Sequence, residues 1–237
     1  MEKISGKGKI ILAVAAHPDD IDFSSSGTIA KLVKEGASAF LLILTNGNKG
    51  SSDPKMTREA LALIRQKEQE KAAKIVGYKK VFFAGFEDTE LLADLRVKEI
   101  IVRYIRKLRP DIVFSLDPSN YYFGERGFVN HTDHREAGIA TLDSVFPLAR
   151  DRLTFQHLEE VGLKPHKVKT LFLVNFENAN TFFDISETIG IKKKAISAHK
   201  SQISKDFIDR LIGWSREAGK KAGCEYAEGF LKLDLPN

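Results

Sequence analysis

Two short stretches of this sequence carry side chains that could share one metal ion. The first, Ala16-His17-Pro18-Asp19-Asp20, closes the apolar run Ile10–Ala16. His17 and Asp20 stand three residues apart across a turn stiffened by Pro18, so an imidazole and a carboxylate can face one centre. That donor pair suits zinc and other divalent first-row metals. Asp19, beside Asp20, permits a division of labour in which one carboxylate binds metal and the other takes a proton from water. Read alone, Pro-Asp-Asp is equally an ordinary turn with an aspartate capping the next helix.

The second stretch is Asn130-His131-Thr132-Asp133-His134. If a helix begins here, His131 and His134 share a face near its first turn. Ala137, Thr141, Leu142 and Val145 continue that face inward. A capping arrangement of Asn130 and Asp133 accounts for the acid but not for two inward histidines. A catalytic zinc keeps three protein ligands and one open position. His17, Asp20 and one of His131 or His134 would supply three. The other histidine is then free for acid–base work, with Asp133 to orient it. Cys224 is the single cysteine, which excludes an intrachain disulfide and a Cys-based metal site.

These motifs need a scaffold, and the hydrophobic pattern supplies one. Short β-branched runs alternate with helical stretches, the mark of a mostly parallel α/β sheet. Strands are expected at Ile10–Ala16, Ala39–Thr45, Lys80–Ala84, Asp111–Leu116 and Val168–Val174. Helices are expected from Ser26 or Gly27 to Glu35, at Thr57–Val76, at Leu95–Leu108 and from about His131. The last 50 or so residues read as two helices, with Ala195–His199 inside the first. The loop Asp117–Asn130 is long for a compact domain, and long loops that persist are usually functional. His17 falls at the carboxyl end of the first strand, where ligands of open α/β sheets sit.

The 237 residues form one domain on this reading, with no linker, repeat or low-complexity tract. Hydrophobic residues at 43% and charged residues at 29% exclude a disordered chain. The net charge of 37 − 32 = +5 favours anionic ligands but is too small to argue for nucleic acid. An apolar run of about seven residues is short for a signal-peptide core or a spanning helix, so the cytoplasm is the expected compartment. Gly6-Lys7-Gly8 precedes a strand, and the 45–50 segment lacks Gly-Lys-Ser/Thr, so neither is a nucleotide loop.

On the helix Thr57–Val76, Arg65 and Glu68 fall on the stripe of Leu61, Ile64, Ala72 and Ile75. Charges on an apolar stripe must pair with each other or face a cleft. Asp88 follows the third strand, where it could accept hydrogen bonds from sugar hydroxyls or simply shape a turn.

Together the motifs resemble the LmbE-like/PIG-L family of zinc-dependent N-deacetylases. The likeness rests on His-Pro-Asp-Asp at 17–20 and His-x-Asp-His at 131–134. It extends to Gly27-Thr28-Ile29, Leu44-Thr45-Asn46-Gly47, Arg65-x-x-Glu68, Asp88 before Glu90-Leu91, and Ala198-His199-Lys200-Ser201-Gln202. The resemblance implies a Rossmann-like α/β sandwich with one zinc per chain, held by His17, Asp20 and His134. It implies Asp19 as the general base, His131 as the residue that stabilises the oxyanion and protonates the departing amine, and Asp133 as the carboxylate orienting His131. The resemblance places Arg65 near the active site, holding or neutralising a polar substrate. Asp88 and His199 are the further candidate substrate-binding residues, although a lone histidine on a helix is more often a packed or surface residue. The implied reaction removes acetyl from an N-acetylglucosamine-type sugar or conjugate, and homo-oligomers occur in the family. The alternatives are a metal-dependent esterase or phosphoesterase, or a non-catalytic sugar-binding protein on the same fold.

Overall fold

The computed structural model describes residues 1–124, 127–175 and 177–236. β1 (Ile10–Ala15) is apolar throughout and buried from Ile11 onward, as a strand covered on both faces must be. After it come α1 (Asp20–Ser24), α2 (Ser26–Lys34), β2 (Ser38–Thr45), α3 (Arg58–Val76), β3 (Lys80–Phe86), α4 (Leu95–Leu108) and β4 (Ile112–Leu116). A small antiparallel pair follows, β5 (Tyr122–Phe123) with β6 (Phe128–Val129), and then α5 (Thr132–Asp143). A π-helical turn at Ser144–Leu148, α6 (His157–Glu160), β7 (Thr170–Val174) and β8 (Thr181–Asp184) lead to α7 (Ile189–Ile196), α8 (Lys205–Ala222) and β9 (Ala227–Asp234).

Capping chemistry sets the ends of the long helices. Thr57 accepts from the Ala60 N–H at the start of α3, and Gly77 at φ 99° closes it. Asp94 caps α4 by accepting from Arg96 and Val97. Ser204 caps α8, which stops at Gly223 with φ 75°.

The main sheet runs β3-β2-β1-β4-β7-β9-β8. The first five strands are parallel, and β9 joins β7 and β8 antiparallel to both. From β1 the chain winds outward through β2 to β3, then returns to lay β4 on the other side of β1. That reversal opens a crevice beyond the carboxyl ends of β1 and β4. The segments leaving these two strands are those that carry the two histidine motifs.

The mostly parallel sheet expected from the sequence is present, with three corrections. α1 is an extra helical turn ahead of α2. α7 ends at Ile196, so His199 lies in the turn beyond it. β8 and β9 stand where the sequence pattern indicated no strands. Glu228, Lys232 and Asp234 weaken the β signal of β9, and packing makes it a strand. Phe230 of β9 sits 5.3 Å from Phe114 and 5.8 Å from both Phe172 and Phe183, ring centre to ring centre, and is fully buried.

This aromatic cluster fastens the antiparallel edge to the parallel core. Phe230→Ala should therefore destabilise the chain by about 3–5 kcal/mol in urea unfolding, whereas a loss under about 1 kcal/mol would mean the edge is held by other means.

Candidate active site

The turn after β1 and the start of α5 meet across the crevice. His17 packs with its ring centre 4.6 Å from that of His131 and 5.2 Å from that of His134. Asp20 joins the two motifs, with one oxygen 3.0 Å from His134 Nε2 and the other 3.6 Å from His17 Nδ1. The same second oxygen accepts the His17 backbone N–H at 2.7 Å, which locks the tight turn. His131 is the N-cap of α5, and its Nδ1 accepts the Asp133 N–H at 3.1 Å. α5 thus begins one residue later than Asn130 capping would require.

Among the described residues, two triplets have ligand atoms close enough to hold a metal ion, His17/Asp20/His134 and His17/Asp88/His131. Proton placement separates them. His134 Nδ1 faces the Asn130 Oδ1 at 3.0 Å, and Asn130 is oriented by donating its amide to the Asn120 carbonyl. That leaves His134 Nε2 as a bare lone pair beside Asp20. His17 Nε2 points at two carboxylates, Asp88 at 3.0 Å and Asp133 at 3.2 Å, so its proton belongs there and Nδ1 is bare. His131 is the reverse case. Its Nδ1 is used as an acceptor, so in the neutral ring Nε2 carries the proton and has no lone pair to offer. The first triplet fits a cation, and the second presents a donor instead.

A cation bound there would displace a proton, because the carboxylates around His17 favour its charged form. Burial alone would lower His17, but hydrogen bonds to Asp133, Asp20 and Asp88 raise it well above the usual histidine value. Burial also works against charge on Asp20, yet His134 and His17 hold it well below the carboxylate range. Asp88 is brought down to about 2, because His17 outweighs the effect of burial. Burial, together with the neighbouring histidines, lowers His131.

Asp19 behaves differently from its neighbour. It is buried, and desolvation pushes its carboxyl up to about 6, opposed by Arg65 and reinforced by Asp20. Its backbone has φ 109°, a conformation that costs a non-glycine residue about 1–3 kcal/mol. Arg65 reaches it from α3, donating to the Asp19 carboxylate at 3.1 Å and to the carbonyls of Pro18 and Gly47 at 2.7 and 2.8 Å. Of the two readings open for the charged pair on α3, the structure gives the cleft. Arg65 turns to Asp19, while Glu68 accepts from the Ser201 N–H and hydroxyl.

Residues 12–145 match the family described as PIG-L, GlcNAc-PI de-N-acetylase. A diacetylchitobiose deacetylase of Thermococcus kodakarensis is 35% identical over 94% of this chain and 82% of its own length. The chain belongs to the PIG-L (LmbE-like) deacetylase family. A Bacillus anthracis protein named as a probable N-acetyl-α-D-glucosaminyl L-malate deacetylase is 26% identical, with 82% of this chain and 81% of that protein covered. Among solved structures, N,N'-diacetylchitobiose deacetylase of Pyrococcus horikoshii, complexed with its inhibitor MPG, superposes with a TM-score of 0.88. It is 31% identical and covers 95% of this chain and 84% of that one. The chain is an N-deacetylase by this membership, and the family is metal-dependent.

The deacetylase's crevice is a cleft of about 690 Å³, bordered by His17, Asp19, Asp20, Arg65, Asp88, His131 and His134. Asp117, Gly127, Phe128 and Asn130 of the long loop line it too, and Glu125 and Arg126 of that loop lie outside the described residues. Two expected residues are placed otherwise. His199, expected to bind substrate, is fully buried beneath the floor and pairs with Asp22 at 2.9 Å. The Asp133 carboxylate, expected to orient His131, faces His17 and accepts the Thr89 N–H at 2.7 Å; only the Asp133 backbone reaches His131. A helix start supplies that backbone N–H without any side chain's help. Sequence reading also missed Gln69, which has helical spacing from Arg65, and the wall formed by Phe207, Leu211 and Trp214 of α8.

Purified wild-type chain should carry close to one divalent first-row metal per chain, and His134→Ala should lose most of it. Elemental mass spectrometry on both, after identical incubation with zinc, decides this. Equal content in the two would exclude His134 as a ligand.

Proposed function

We propose that this chain hydrolyses the acetamide of an N-acetylglucosamine-type sugar or sugar conjugate, using one zinc ion held by His17, Asp20 and His134. Bound there, zinc would act as a Lewis acid, polarising the acetyl carbonyl and lowering the pKa of water. The observation that carries the reading is the placement of two adjacent buried carboxylates. Asp20 shares the His17/His134 cluster, with oxygens 3.0 Å from His134 Nε2 and 3.6 Å from His17 Nδ1. Asp19 borders the same cleft outside that cluster and is held by Arg65 at 3.1 Å. Burial, which lifts Asp19 to about 6, suits it to a general base.

Asp19 takes a proton from the attacking water through the oxygen that Arg65 leaves free. As the acetyl carbon becomes tetrahedral, negative charge gathers on its oxygen. His131 Nε2–H, lowered in pKa and therefore neutral, is available to donate to that oxygen. The C–N bond then breaks, and the amine leaves with a proton from His131 or from the protonated Asp19. Asp133 and Asp88 keep the His17 proton on Nε2, so Nδ1 stays a ligand atom. Arg65 fixes one face of the site and offsets the charge of Asp19.

A sugar substrate is supported by the names of the relatives and by the cleft, whose acidic and imidazole floor faces an apolar wall on α8. N,N'-diacetylchitobiose, N-acetylglucosamine and an N-acetylglucosaminyl conjugate should be assayed for acetate and free amine, beside acetate esters and phosphate esters. Acetate release from an acetamide, lost with chelator and restored by zinc, is the expected result. Phosphate-ester hydrolysis without acetate release would overturn the proposal.

Asp19→Asn should retain metal and lose about 10²–10⁴-fold in kcat. Asp19 must be deprotonated to act, so kcat/KM falls as pH drops through its pKa. A bound cation stabilises the carboxylate and lowers that pKa, which puts the acid limb at or below about 6. A pH–rate profile with its acid limb above pH 7, or an unimpaired Asp19→Asn, would remove Asp19 as the base.

A further inference from the structure

Asp19 sits in a strained backbone conformation, and its N–H, its carbonyl and one carboxylate oxygen are each tied. Its carbonyl accepts the Phe23 N–H at 3.0 Å, the first bond of α1. Its carboxylate and the preceding carbonyl go to Arg65. Its N–H donates to Gln69 Oε1 at 2.9 Å. Gln69 lies one helical turn after Arg65 on α3, so a single helix face grips both the carboxylate and the amide of the same residue.

Gln69 is 1% exposed and its amide can face only one way. Nε2 donates to Asp22 Oδ2 at 2.7 Å, which leaves Oε1 for the Asp19 N–H. His199 Nε2 donates to the same Asp22 oxygen at 2.9 Å. Glu68, next to Gln69, holds Ser201 and so anchors the turn that carries His199 to α3. Gln69, Asp22 and His199 are all buried, and none borders the cleft. A buried polar chain of this kind is a poor device for stability alone, because apolar side chains of similar volume often serve as well. Its free end terminates on the backbone of the residue proposed as the base.

We infer that Gln69 is a positioning residue that latches the Asp19 peptide in its positive-φ conformation, with Asp22 and His199 holding the latch from behind. Without it the Asp19 N–H has no buried acceptor, the strained turn relaxes, and the carboxylate moves relative to the ligands Asp20 and His17 while substrate contacts remain. The inference deepens the deacetylase reading and rests on it for the role of Asp19.

The variants that test it are Gln69→Leu, Gln69→Glu, and Gln69→Glu combined with Asp22→Asn. Leucine fills the space without hydrogen bonds. Glutamate keeps an acceptor for Asp19 but sets its charge against Asp22. In the double variant, the introduced asparagine amide can donate to the introduced carboxylate, which removes the repulsion between the two positions and keeps an acceptor for the Asp19 N–H. Metal content, thermal melting, kcat and KM, and exchange of the Asp19 amide hydrogen are measured on each.

Gln69→Leu should bind metal as wild type does, keep KM within about twofold and lose about 10–100-fold in kcat. Its Asp19 amide should exchange at least about tenfold faster. Gln69→Glu should be similarly impaired, and the double variant should recover at least about tenfold in kcat over it. A purely structural role predicts lowered melting with no such recovery, and that outcome overturns the inference, as does an unchanged kcat with unchanged Asp19 exchange. If Gln69→Leu does not fold, the glutamate pair carries the test alone. If the wild type releases no acetate from any acetamide, the deacetylase reading is what fails. The Asp19 amide then decides the latch, faster exchange sustaining it and unchanged exchange overturning it.

Discussion

Two adjacent buried carboxylates, Asp19 and Asp20, must hold opposite characters within one turn. Left to desolvation, both would rise in pKa and become ordinary neutral acids. The imidazoles of His17 and His134 prevent this for Asp20, while Asp19 pairs with Arg65. Asp19 has φ 109°, and its carboxylate meets Arg65 while that of Asp20 meets His134. The strained residue thus stands where the two environments divide.

The fold supplies what that turn cannot supply itself. β1 delivers His17 to the crevice with a buried apolar strand behind it, and β4 returns beside β1 so that α5 can present its first turn opposite. α5 then contributes through its end as well as its side chains, since the Asp133 N–H sets the tautomer of His131. α3 crosses behind, with Arg65 and Gln69 one turn apart on its buried face. Asp88, at the end of β3, completes the set of carboxylates around His17. The segments after β1, β3 and β4 therefore each bring residues to the site, and the ring nitrogens are assigned by neighbouring carboxylates, an amide and a helix N-terminus.

How much of this was readable in the sequence depended on whether the signal was local. The strand before His17, the helix capped by Thr57 and closed by Gly77, and the two histidine motifs all have short-range patterns, and the structure assembles them as one cluster. β9 had no such pattern, because its place is fixed by Phe114, Phe172 and Phe183 from distant segments. The same limit applies within the site. His199 and Asp133 were recognisable as chemistry-bearing residues, but their partners, Asp22 and His17, lie 177 and 116 residues away in sequence. Spacing can say that a histidine faces inward and cannot say which acid meets it. Gln69 carried a weak local clue, its helical spacing from Arg65, but glutamine has no charge to make such a position conspicuous.

The residues proposed to perform the reaction and those that form the opposite wall of the cleft come from different parts of this chain. His17, Asp19, Asp20, Arg65, Asp88, His131 and His134 all fall within residues 12–145, the span that matches the family. The opposite wall of the cleft comes from α8, at Lys205–Ala222, and lies outside that span. Phe207, Leu211 and Trp214 present apolar surface to a cleft whose floor is carboxylate and imidazole. A sugar ring has both kinds of surface, with hydroxyls at its edge and C–H groups on its faces, so a substrate spanning the cleft can satisfy both walls. The floor can demand only an acetamide at the right distance from Asp19. On the proposed reading, whatever the sugar is attached to would meet α8 and the loop before α5, and exchange of residues there would change the substrate without touching the His/Asp cluster.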